Sequence, residues 1–137
     1  MNNYTKYYLD KESGVIIISL GPGDKLAESI INVCEELKIH TGTVVCGIGS
    51  FDQVSYQYGG KDVNCEDKVE LLSLSGTIID QTLHLHMTII GFDGIVTGGH
   101  LYEGTIFTVG EITIIATDIK LKRGSRDGCE LPLLRAL

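Results

Sequence analysis

At 137 residues the chain accommodates one domain with one core, and it should bury about two thirds of the surface that its unfolded form exposes. Hydrophobic residues make up 43% and charged residues 21%, which excludes the low-hydrophobicity, high-charge class of disordered chains. With 11 Lys and Arg against 18 Asp and Glu, the formal charge is −7, so the surface as a whole repels phosphate backbones and direct duplex binding is disfavoured.

In chain order, Met1 to Lys6 lacks the apolar core of a signal peptide, and no apolar run approaches the roughly 20 residues that a membrane helix needs. Cys34, Cys46, Cys65 and Cys129 are scattered without a Cys-x-x-Cys pair, the pattern of reduced thiols. Together these features predict a soluble cytoplasmic protein with no membrane partner. Val15 to Leu20 is a β-branched run that predicts a strand buried on both faces. Gly21-Pro22-Gly23 breaks it, and the absence of a following Lys-Ser/Thr pair excludes a phosphate loop.

From Asp24, Leu26, Ile30, Val33, Cys34 and Leu37 recur at helical spacing, with Asp24 as the expected N-cap and Gly42 beyond the expected end. His40 falls near that end, where a cation suits the helix dipole. Cys34 and Cys46 read as core residues and Cys129 as an exposed thiol. Thr43 to Gly49 and Ser50 to Tyr58 read as two strands, followed by a turn at Gly59-Gly60. Val69 to Leu74 is the next strand, with a bend at Ser75-Gly76. Asp93-Gly94 between two apolar runs is a hairpin signal, and Thr105 to Thr117 is a long final strand with room for a bulge near Gly110. The basic cluster Lys120, Lys122, Arg123 and Arg126 reads as a solvated strand end and tail, and Leu131 to Leu134 as a segment that docks onto a sheet. One helix among many strands, without regular alternation, predicts an α+β single domain over residues 1–137 with a largely antiparallel sheet.

The chemistry concentrates in Leu83-His84-Leu85-His86-Met87 and Gly98-Gly99-His100. On a strand, Leu83, Leu85 and Met87 enter the core while His84 and His86 share the opposite face, about 6.6 Å apart at Cα. Two such rings converge on one ion at about 2.0–2.1 Å, and His100 supplies a third ligand. Clustered buried imidazoles without partners would each cost about 1–3 kcal/mol, so a metal would compensate them. Gly98-Gly99 reads either as a turn or as a close backbone approach that lets His100 reach the ion. Imidazole suits zinc, nickel and iron alike, with zinc the expected ion. Three neutral ligands leave a fourth position for water, whose pKa zinc lowers to about 7. Glu70, Asp93, Glu103 and Glu111 are the candidate general bases, and the sequence does not choose among them.

Gly23-Asp24-Lys25-Leu26, Val44 to Gly49, Glu70 to Thr77, Leu83-His84-Leu85-His86, Asp93-Gly94 and Gly98-Gly99-His100-Leu101 resemble the PPC domain, conserved in plants and prokaryotes and of unknown function. The resemblance runs from about residue 4 to 134 and implies a domain that assembles as a homotrimer. In plants this domain accompanies AT-hooks; here Arg123-Gly124-Ser125-Arg126 lacks their Arg-Gly-Arg-Pro core. The plant partner motif Gly-Arg-Phe-Glu-Ile aligns with Asp67 to Leu71, where only Glu70 is the same. The three histidines match the free-standing prokaryotic pattern, some members of which hold a metal. The expectation is a homotrimer with a divalent metal at His84, His86 and His100 and a possible small-molecule ligand there. The alternative is a DNA-associated or regulatory assembly module without AT-hooks.

Overall fold

Two strands much longer than the core is wide have to bend, and their bending organises this protein. The computed structural model describes residues 3–137; Met1 and Asn2, part of the stretch read for a signal peptide, lie outside the described residues. In chain order the elements are β1 (Lys6–Asp10), β2 (Val15–Leu20), α1 (Leu26–Leu37), β3 (Thr41–Tyr58), β4 (Lys61–Cys65), β5 (Val69–Ile79), β6 (Thr82–Gly91), β7 (Val96–Thr117), β8 (Leu121–Arg126) and β9 (Cys129–Ala136). Strands β1 to β7 form one sheet in the order β1-β2-β7-β6-β5-β3-β4, and an additional β7–β3 pairing closes β7, β6, β5 and β3 on themselves. Every pairing is antiparallel. The predicted α+β domain with one main helix is therefore what forms.

Where two strands were expected between residues 43 and 58, β3 runs through without a break and bends at register shifts against β7. One shift lies between Gly49 and Phe51, whose partners are Gly110 and Ile106, which is where the sequence has room for a bulge. Likewise β5 continues through Ser75-Gly76 rather than turning there. A Cβ at Gly76 would collide with the His84 carbonyl, so this glycine permits close pairing with β6.

The core follows the alternation. Ile16, Ile18 and Leu20 of β2, Ile112 and Ile114 of β7, Phe51 of β3 and Leu74 and Ile78 of β5 are buried, and the helix adds Leu26, Ile30, Val33 and Cys34. Truncating a fully buried member such as Ile30 to Ala removes about 2–5 kcal/mol. The β2 run is not buried on both faces: Ile17 is exposed between buried Ile16 and Ile18. Register puts Ile17 opposite Thr113 and Val15 opposite Ile115, and exposed Val45, Ile48 and Val109 lie on the adjoining strands. This chain thus presents an uncovered apolar area beside its core.

The helix starts and stops differently from its sequence signals. Lys25, not Asp24, is the N-cap and makes no side-chain cap hydrogen bond. Asp24 is buried, and its carboxylate accepts from the backbone N–H groups of Asn3 (2.8 Å), Tyr4 (3.2 Å) and Gly21 (3.0 Å) and from Thr5 Oγ1 (3.2 Å). It ties the N-terminal segment to the β2–α1 turn. At the other end Lys38 adopts a left-handed conformation (φ 57°) and returns its N–H to the last turn, so the helix ends before Gly42. The closing residues do not extend the main sheet: β8 and β9 pair with each other in a separate hairpin, tied to β5 by the Arg123–Thr77 hydrogen bond, and Leu131 stays exposed.

Candidate metal centre

Alternation along β6 works as the pattern predicts: Leu85, Met87 and Ile89 are buried, and His84, His86 and Thr88 face outward. The sheet then adds the third ring. His86 pairs directly with His100 across β6 and β7, and His100 pairs on its other side with Gln57 of β3. Gly98 and Gly99 lie within β7 rather than in a turn. A Cβ on Gly98 would collide with the Met87 carbonyl and one on Gly99 with the Gln57 carbonyl, so these glycines let β7 pass tightly between β6 and β3. That crowding fixes where His100 stands.

The three rings face one another, with centroids 5.1 Å apart for His84 and His86, 5.3 Å for His84 and His100, and 5.8 Å for His86 and His100. One nitrogen from each lies within 4.8 Å of the others. Two atoms each 2.0–2.1 Å from a tetrahedral ion are separated by roughly 3.4 Å, so small rotamer changes suffice to close the set. The donors fit a borderline divalent cation: three imidazoles, with no carboxylate or thiolate joining them among the described residues. His84 and His86 are exposed and His100 is half-buried, so the predicted cost of burying unpartnered rings does not arise in this chain. What they present instead is three ring nitrogens gathered at the surface.

Two neighbours frame the cluster. On β7, Tyr102 has its ring 5.4 Å from that of His100 and donates its hydroxyl to Asp62 Oδ1 at 3.1 Å; Gln57 Nε2 donates to the same oxygen at 3.2 Å. From β8, Arg123 Nη2 donates to Thr77 Oγ1 at 2.9 Å and lies 3.4 Å from His84 Nδ1. Partial desolvation, the Arg123 guanidinium and the His86 and His100 rings hold His84 below its ordinary pKa of 6.5, which favours the neutral, ligating form. Sequence reading placed Arg123 in a solvated tail, because a side chain that arrives from a separate hairpin leaves no local spacing to detect.

The candidate bases go elsewhere. Glu103 points to the helix: Oε1 accepts from the N–H groups of Ala27 (2.7 Å) and Gly104 (2.9 Å), and Oε2 from Glu28 (3.1 Å). It is the remote cap that Lys25 does not provide. Asp93 Oδ1 accepts from Ile95 N–H within the β6–β7 turn. Glu70 pairs with Ile90, and Glu111 with Ser19 and Ile48, both outside the histidine group. His40 lies past the helix cap, with Nδ1 2.9 Å from Thr41 Oγ1. Cys34 is buried, which raises its thiol to about 11, whereas Cys46 lies exposed at a β3 irregularity instead of in the core. Cys129 is half-buried, and all four thiols are free.

The sequence matches the Plants and Prokaryotes Conserved domain, abbreviated PCC or PPC, over residues 9–118. The chain belongs to this family. The matched span contains the three clustered histidines and stops before the β8–β9 hairpin that carries Arg123. Among curated proteins, a bifunctional protein GlmU from Synechococcus is 29% identical over 100 residues, covering 71% of this chain and 16% of its own length. The chain thus spans about a sixth of that relative.

Among solved structures, a candidate DNA-binding protein of Bacteroides thetaiotaomicron superposes with a TM-score of 0.84 at 20% identity, covering 98% of this chain and 99% of its own. A metal-containing protein of Archaeoglobus fulgidus superposes with a TM-score of 0.73 at 22% identity, covering 97% of this chain and 99% of its own. At these identities the likeness establishes the fold alone. No helix among the described residues is long and apolar enough to cross a membrane.

Proposed function

We propose that this PPC protein binds a divalent metal, zinc in the first instance, through His84, His86 and His100, and that it does so as a homotrimer. The observation that carries the metal reading is the convergence of three ligand nitrogens within 4.8 Å on one outward face. The Archaeoglobus relative that contains metal supports it. Bound there, the ion would act as a Lewis acid with a coordination position left for water or a small molecule. No reaction is assigned: Glu103, the carboxylate closest to His100 in sequence, is committed to the helix. The trimer rests on family membership and on the uncovered apolar side chains of β2, β3 and β7, which a copy of the chain would shield.

The metal reading is tested by elemental analysis of protein purified without a polyhistidine tag. About one ion per chain is the expected result, and a metal-free protein that takes up no added zinc overturns it. Light scattering tests assembly, with a monomer the overturning result.

Structural relatives described as candidate DNA-binding proteins favour a second reading, a DNA-associated module. Its weakness here is charge: three chains of −7 make −21. Two of the three basic residues of β8 are also engaged, Arg123 with Thr77 and Arg126 with the Leu134 carbonyl and, at 3.7 Å, with Asp127. Duplex binding that weakens steeply with added salt would support this reading, and no binding at low salt removes it.

A further inference from the structure

Resting on the metal reading, we infer that the centre takes a small oxyanion, a carboxylate or a phosphate, held jointly by the ion and by Arg123. The first ground is charge. Three neutral imidazoles leave the full double charge of a divalent ion uncompensated, and among the described residues no Asp or Glu joins the ligand set. Arg123 adds a permanent positive charge beside it, with its guanidinium 3.4 Å from His84. Asp62 is already engaged by Tyr102 and Gln57, so an anionic oxygen at the remaining coordination position would satisfy both positive centres, the ion and Arg123.

The second ground is what Arg123 is bonded to. A guanidinium has donors only, so its contact with His84 Nδ1 requires that nitrogen to offer its lone pair. Metal ligation removes that arrangement whichever ring nitrogen is used. Ligation through Nδ1 takes the lone pair itself; ligation through Nε2 leaves the ring proton on Nδ1, which then cannot accept. In both cases Arg123 keeps Thr77 (2.9 Å) and the Pro132 carbonyl (3.4 Å) as its anchors and regains an Nη2 donor at the edge of the centre. Thr77 belongs to β5, opposite His84 in the β5–β6 register, so the anchor is part of the same rigid sheet as the ligands. Arg123 is then an anion-binding residue presented by a hairpin outside the family-matched residues.

Cobalt(II) loaded in place of zinc reports on coordination through its visible bands, at about pH 7.5, above the ordinary histidine range. Titration with inorganic phosphate and, separately, with acetate is expected to shift those bands saturably in the wild type, and the arm with the tighter response identifies the preferred headgroup. Arg123→Gln, which retains a donor for Thr77, is expected to bind cobalt with unchanged stoichiometry and to lose at least about tenfold in anion affinity, the effect of one charge-assisted contact. Arg123→Lys, which keeps the charge without the fork, is expected to fall between. A wild-type spectrum indifferent to both anions, or an Arg123→Gln response equal to the wild type, overturns the inference while leaving the metal site standing. Failure of the wild type to bind cobalt overturns both.

Discussion

Two polar groupings flank the same stretch of β7, and they differ in how their atoms are satisfied. On one face His100 joins His84 and His86, whose contacts are with each other, with the Tyr102 ring and with Arg123. Three residues along, past a register shift in β7, Glu103 accepts the Ala27 and Glu28 N–H groups at the helix start and that of Gly104, and nearby buried Asp24 accepts four donors. Charge and burial alone would mark the carboxylates as the reactive pair. Hydrogen bonding reverses that ranking, because a carboxylate that accepts three or four donors has little left for a substrate, whereas of the three gathered imidazoles only His84 has a hydrogen-bond partner, Arg123, among the described residues. The Asp24–Glu103 side holds the fold together; the histidine side is left for a ligand.

The largest expected effect comes from breaking the histidine side at its centre. His86 is both the β6 neighbour of His84 and the direct partner of His100, so His86→Ala removes the ring common to both pairings. Metal affinity should fall by more than the roughly 100-fold that outer-shell changes produce. Because His86 is exposed, the metal-free fold should move by no more than about 0.5 kcal/mol in urea. Undiminished metal content in this variant would show that His86 is not a ligand.

Asp24→Ala should do the opposite. It leaves the Asn3, Tyr4 and Gly21 N–H groups without their acceptor and should cost about 2–3 kcal/mol in denaturant unfolding, with metal content unchanged. Glu103→Ala removes the remote helix cap and the acceptor of Gly104 N–H and should cost about 1 kcal/mol. If Glu103→Ala instead altered metal content or the pH response of the centre without a stability change, its assignment to the helix would be wrong and its candidacy as a base restored.

The same contrast explains what could be read before folding. The period-two alternation around Leu83 to Met87 is local, so it predicts the orientation of His84 and His86 directly. His100 was visible through its glycines, although their reason is interstrand crowding against Met87 and Gln57 rather than a turn. Family resemblance supplied the domain type. Long-range capping was not legible: Asp24 looks like an N-cap because Asp often is one, yet its carboxylate turns back to the N-terminal segment, and the cap arrives from Glu103 across the fold. Strand lengths are underestimated for a related reason, since Gly49 and Gly76 read as breaks in sequence but are close approaches inside β3 and β5. Arg123 is the extreme case, where only the packing of β8 against the Thr77 end of β5 puts a tail residue beside a ligand.

The smallest expected effect sharpens the comparison at that contact. His84 titrates below 6.5 in the folded chain, through desolvation first and then the charges of Arg123 and its two neighbouring rings. A group whose folded pKa is depressed contributes stability that is present above its unfolded value and lost as pH falls through the folded one. The metal-free protein should therefore be slightly less stable on the acid side of 6.5, and bound metal should be released there as protons compete for the rings. Arg123→Gln removes one of the named charges, so the His84 resonance in an NMR titration should move its midpoint upward toward 6.5. An unmoved midpoint would mean that Arg123 spends its time away from His84 in solution, and the histidine face would then be still less engaged with the rest of the protein than the Thr77 contact implies.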